Sequence, residues 1–193
     1  MSLVCSTMVN TTHIFLGGGR APQVTAESWM YDRVRESWNQ LPNMLQVRQG
    51  AGCGVSGKHV VVFGGYDGTD DWINLTEIFN LDSWSWFQGQ LTPYQFTSHN
   101  ILQYGMDYLL AFGGTIVNDT HTEDTDAILE YDLDVMGWVQ RGWRLEAQAS
   151  RVLCLWLYHR IWLIAKHGLW ANQMILLAFS DKHYRATTMQ WIK

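Results

Sequence analysis

An apolar residue followed by two glycines occurs three times in this 193-residue chain, and each pair leads to an aromatic residue and then a tryptophan. The pairs are Gly17-Gly18, Gly64-Gly65 and Gly113-Gly114, preceded by Leu16, Phe63 and Phe112. Downstream come Tyr31, Phe79 and Tyr131, and seven residues after each sits Trp38, Trp86 or Trp138. The glycine spacings are 47 and 49, and the tryptophan spacings 48 and 52. Self-similarity at a near-constant period of about 50 residues means one supersecondary unit copied along the chain. A repeat also makes most eye-catching residues architectural before they are functional.

Each unit reads as four short strands. In the second, Gly52 to Val55 is a strand, Ser56-Gly57-Lys58 a tight turn, and His59 to Phe63 a β-rich run that stops at the glycines. A loop follows, then Thr76 to Phe79 and Trp84 to Phe87. The third unit repeats this with Asn100 to Gln103, Tyr108 to Phe112, a loop, Ile128 to Tyr131 and Trp138. Glycine at the end of a second strand suits close backbone approach or positive φ, where a side chain would clash. A fourth, degraded unit follows: Arg160 to Ile164 matches Asp107 to Ala111 in pattern, but Ala165-Lys166 replaces the glycines, and no tryptophan lies seven residues after Phe179. Terminal repeats are often atypical because they cap. The division expected is 1–47, 48–96, 97–138 and 139–193.

Apolar-Gly-Gly, then Tyr-Asp (Tyr31-Asp32, Tyr131-Asp132, with Phe79-Asn80 as a variant), then Trp, resembles the kelch motif. Arg48, 16 residues before Gly64, matches the arginine that commonly opens such a repeat. The resemblance implies an all-β fold, a kelch-type β-propeller with one four-stranded blade per unit. Four blades form either an arc of a larger propeller or a small or oligomeric ring. By the same resemblance the loops between second and third strands, with the links between blades, form a ligand face.

Several chemistries are disfavoured. Gly52 to His59 nearly spells a phosphate-binding loop, but His59 replaces its Ser/Thr and no helix follows. Seven histidines show no zinc-ligand spacing and there is no Cys-x-x-Cys, so no metal and no cofactor are expected. Val152 to Phe179 is apolar but broken by His159, Arg160, Lys166 and His167, short of the ~20 residues a membrane helix needs. Buried strands explain it better, and no membrane partner is expected. Cys5, Cys53 and Cys154 fall at apolar positions of their units and read as reduced, buried thiols. Met1 to Asn10 has neither the basic start nor the apolar run of a signal peptide. The expected setting is therefore cytoplasmic.

Charge is the least architectural signal. The four units carry net charges of 0, −3, −8 and +6, and residues 97–138 hold eight Asp and Glu with no Lys or Arg. Acidic residues cluster in the loops after the glycine pairs: Asp67, Asp70 and Asp71 in one, Asp119, Glu123, Asp124 and Asp126 in the next. Trp72 shares the first loop, and Arg48 and Arg151 lie in the links between units. These ten residues are the candidate partner-binding set, facing a protein or peptide of basic character. No catalytic residue is assigned. The expected function is a non-enzymatic interaction module of kelch type, in a role such as a substrate adaptor of ubiquitin ligases or a cytoskeletal scaffold. The alternative is a propeller-type carbohydrate-active enzyme or sugar-binding protein, since loop carboxylates suit glycosidic chemistry. Nucleic acid is disfavoured by the net charge of −5. Edge blades left open are expected to promote self-association.

Overall fold

The computed structural model describes residues 3–20, 22–69, 72–104, 108–118, 121–139, 152–157, 160–166, 173–180 and 183–190; from residue 152 on it describes the strands and their pairing. Among these residues there are strands and no helix. The first sheet contains β1 (Cys5–Met8), β2 (His13–Gly17), β3 (Ser28–Asp32) and β4 (Ser37–Leu41). The second contains β5 (Gly52–Ser56), β6 (His59–Phe63), β7 (Leu75–Asn80) and β8 (Ser85–Leu91). β9 (Gln95–Thr97) precedes the third sheet, which is built of β10 (Asn100–Tyr104), β11 (Tyr108–Phe112), β14 (Ile128–Asp132) and β15 (Gly137–Val139). β12 (Thr115–Asn118) and β13 (His121–Asp124) are inserted between β11 and β14. The fourth sheet contains β16 (Val152–Leu157), β17 (Arg160–Lys166), β18 (Gln173–Ser180) and β19 (His183–Gln190). Each four-stranded sheet is antiparallel in chain order. First strands neighbour one another, β1 against β5, β5 against β10, and β10 against β16, so the sheets stand side by side like blades.

The continuous apolar run of β6 is explained by its position between two cores. Val60 and Val62 pack with Phe15, Met30, Leu41 and Cys53 toward the first sheet. Val61 and Phe63 pack with Leu109, Ala111, Leu129 and Tyr131 toward the third. Alternate side chains of a strand point to opposite faces, and both faces of this sheet are covered. Cys5 and Cys53 are buried free thiols in the first of these cores, and burial pushes the Cys53 thiol well above its ordinary value.

The aromatic and the tryptophan of each unit are direct cross-strand partners: Tyr31 with Trp38, Phe79 with Trp86, Tyr131 with Trp138. Their ring centroids lie 4.7, 5.1 and 5.1 Å apart. The spacing of seven comes from the turn. Asp32, Asn80 and Asp132 each accept a backbone N–H two residues on, and Glu36, Trp84 and Met136 then take φ of 52°, 53° and 49°. In the fourth sheet the hairpin is shorter, Ser180 facing His183, and the register partner of Phe179 is Tyr184. The aromatic pairing persists there at a spacing of five.

Trp86 and Trp138 also reach back to the sheet before their own. Trp86 meets Phe15 edge-on and donates to the Pro42 carbonyl at 2.8 Å; Trp138 meets Phe63 with centroids 4.2 Å apart and donates to Thr76 Oγ1 at 2.8 Å. Trp38 does not reach between sheets in this way. It belongs to the first sheet, has no earlier sheet to reach among the described residues, and remains 54% exposed.

The glycine pairs are also shifted in one unit. Matching conformations occur at Gly18-Gly19 (φ 66° and 98°), Gly64-Gly65 (67° and 96°) and Gly113-Gly114 (64° and 82°). Gly17, the first of the three glycines, is the last residue of β2 and pairs with Ser28. The reason is steric: a Cβ on Gly18 or Gly64 would lie 2.4 or 2.5 Å from the carbonyl oxygen of Arg48 or Phe96, in the link to the next sheet. Without such glycines, β17 runs on through Ala165 and Lys166, paired with β18.

Candidate interaction surface at the glycine-bearing end

Second strands end at the glycines, so the links and the long loops meet on one side of the arc. Gly65 N–H donates to the Phe96 carbonyl at 2.7 Å and Gly19 N–H to the Arg48 carbonyl at 2.7 Å, tying each unit's glycines to the link that follows.

Arg48 lies in the first of these links and is wholly buried. Its guanidinium donates to the carbonyls of Gly64 at 2.9 Å and Leu75 at 3.2 Å, and pairs with the buried Glu77 carboxylate. Glu77 in turn accepts the backbone N–H groups of Leu45 and Gln46. This corrects the assignment of Arg48 to the partner-binding set. An arginine with no exposed surface, its two terminal nitrogens committed to one carboxylate and two carbonyls, fastens the link to β7. Burial pulls its pKa down, and the Glu77 charge pulls it back.

Asp67 and Trp72 lie in the loop after Gly65. Asp67 Oδ1 accepts the Thr69 N–H and hydroxyl, each at 2.8 Å, closing an Asx turn. Tyr66 exchanges backbone hydrogen bonds of 2.9 Å with Gln49, bridges to Trp72, and meets its ring at a tilt with centroids 4.9 Å apart. Both Asp67 and Trp72 are half-buried. Asp70, Asp71, Asp119 and Arg151 lie outside the described residues.

The loop expected in the third unit is instead a hairpin. β12 pairs with β13 on one side and β9 on the other, making a separate three-stranded sheet in the order β13-β12-β9. Phe96, Ile116 and Val117 are buried in it, and Phe96 and Ile116 join the core between the second and third sheets. Glu123 is exposed; Asp124 and Asp126 are half-buried, and Asp124 accepts from Thr115 Oγ1 at 3.4 Å. Sequence reasoning missed this sheet because Gln95-Phe96-Thr97 and Thr115 to Asn118 are too short to show a period.

His99, which precedes β10, was also passed over. It is buried, stacks on Phe63 with centroids 4.4 Å apart, and neither ring nitrogen has a partner. Burial pulls its pKa down to about 3. The bare backbone of Gly52 makes room for it, since a Cβ there would lie 2.2 Å from Nε2. Among the described residues no group of three His, Cys, Asp or Glu side chains could hold a metal ion.

Residues 48–90, the link with Arg48 through the second sheet, match the kelch motif. The second unit is a kelch repeat. It is similar to human Kelch-like protein 21, 32% identical over 62 residues, and to the mouse Kelch-like protein 21, 31% identical over 62 residues. Those matches cover 32% of this chain and 10% of either relative. Among solved structures, YjhT superposes with a TM-score of 0.76 at 16% identity, covering 98% of this chain and 65% of that one. At that identity the likeness concerns the fold, a kelch-type β-propeller.

Proposed function

We propose that this chain is a non-enzymatic protein-interaction module, binding a protein or peptide of basic character through the acidic loops at its glycine-bearing end. The observation that carries the reading is the exposed Glu123, beside Asp124 and Asp126, on a stretch from 97 to 138 that has no Lys or Arg. Asp67 opens from the same end of the neighbouring sheet. Charges so arranged steer association with a basic partner more than they set its final affinity. An adaptor or scaffolding role in the cytoplasm fits a module of this kind, as does the kelch motif it carries.

The test is the quadruple change Asp67→Asn, Glu123→Gln, Asp124→Asn and Asp126→Asn, compared with the unaltered chain in partner capture and in association rate at rising salt. Slower association and a flatter salt dependence are expected. Unchanged partners with unchanged salt dependence would reject the reading, and turnover or selective binding on a glycan array would favour the carbohydrate alternative.

A further inference from the structure

We infer that the outer edge of β13 is a strand-addition site, taking an extended basic segment of a protein partner as a fourth strand of the β9-β12-β13 sheet. The inference rests on the acidic-surface reading and adds to it the mode of binding.

The small sheet has two edges in different states. At β9 the backbone is engaged: the Phe96 carbonyl accepts from Gly65 N–H and the Ser98 N–H, just beyond the strand, donates to the Gly50 carbonyl at 2.9 Å. At β13 the order ends, and among the described residues no strand lies beyond it. A strand paired on one side only presents alternate N–H and C=O groups outward, a template for another chain.

The template is held in place. Ile116 and Val117 are consecutive and both buried, so β12 is covered on both faces and its register is fixed. β13 follows that register through four consecutive pairs without a bulge, Thr115 with Asp124 to Asn118 with His121. Backbone groups fixed beforehand lose little freedom when a partner strand arrives. No lysine, proline or bulge blunts His121-Thr122-Glu123-Asp124, and its two carboxylates guard the edge against acidic strands while leaving it open to basic ones.

Charge selects the occupant. Thr122 and Glu123 are exposed, and no Lys or Arg occurs between 97 and 138 to offset the carboxylates. An incoming strand with Lys or Arg on one face meets opposite charge across the pair, and an acidic one is repelled. The outer strands β4, β8 and β15 also end their sheets, but β8 carries a register irregularity between Gln88 and Leu91, opposite Leu75 to Glu77 of β7.

The test uses the whole chain and capped peptides alternating Lys and Val, long enough to span β13. One version is N-methylated at every Lys nitrogen, another at every Val nitrogen; methylation removes the main-chain donor and leaves the charge. In strand addition only one set of amides faces β13. One methylated version is expected to lose affinity by at least about tenfold while the other stays within about twofold of the parent. Hydrogen exchange should slow within residues 121–124 on binding, with β4, β8 and β15 unchanged. Equal affinity of the parent and both methylated peptides, or slowing elsewhere than β13, overturns strand addition. If Glu123→Gln and Asp124→Asn still weaken the parent peptide in that case, the acidic-surface reading survives. If the methylation phase and the β13 slowing appear but those substitutions change nothing, strand addition stands and the acidic reading falls.

Discussion

Arg48 and Glu77 stand 29 residues apart in the chain and form an ion pair with neither side chain exposed to water. Removing either partner strands the other as a buried charge. Arg48→Met and Glu77→Leu should each cost about 3–5 kcal/mol in urea unfolding. The double variant should recover much of the loss, because no charge remains unpaired. Additive losses would show that the two side chains act separately.

His99 makes stability depend on pH. Its folded value is about 3 against an ordinary 6.5, so the unfolded chain takes up the proton first as pH falls. Stability from this group is full above about pH 6.5 and is lost on the way down toward pH 3, with a slope of up to about 1.4 kcal/mol per unit. Urea midpoints between pH 7 and pH 4 should fall more steeply for the unaltered chain than for His99→Phe. Parallel curves would mean the ring is not neutral and buried in solution.

The tryptophans of the repeat should not be equivalent. Trp138→Ala removes a contact with Phe63 and a hydrogen bond to Thr76, and should cost about 3 kcal/mol. Trp38→Ala removes a half-exposed ring tilted against Tyr31, and should cost about 1 kcal/mol. Equal losses would mean that Trp38 is covered in solution.

Backbone conformation separates two further substitutions. Gly64→Ala brings a Cβ against the Phe96 carbonyl oxygen at 2.5 Å with φ at +67°, and should destabilise by about 2 kcal/mol or more. Glu36→Gly relieves a side chain from φ +52° on an exposed turn and should stabilise by about 0.5–1 kcal/mol. Thermal or urea unfolding of the two variants checks both signs.

What could be read in advance was what recurs. The glycines, the aromatic–tryptophan pairs and the runs around them have a period, so the four-stranded unit and most strand positions were visible in residue order. His59–Phe63 and Tyr108–Phe112 were read to the residue. Three glycines in a row at 17–19 hid which two turn left-handed, because only the approach of the Arg48 carbonyl decides it. Arg48 looked like a link residue open to a partner; its carboxylate comes from another strand, and nothing local announces that. The β12–β13 hairpin occurs in one unit only, and a repeat gives no guidance where the units differ. The fourth unit's aromatic pairing was missed because its register, Ser180 with His183, brings the partner two residues closer than in the first unit, where Asp32 pairs with Ser37.

Trp86 and Trp138 give the contacts between sheets a direction. The second and third sheets each bring the peg, and the sheet before holds the socket. A ribosome delivers the chain in that same order, so the socket for each tryptophan leaves the exit tunnel before the ring that fills it. For these two contacts, assembly can then proceed by addition onto a surface already present.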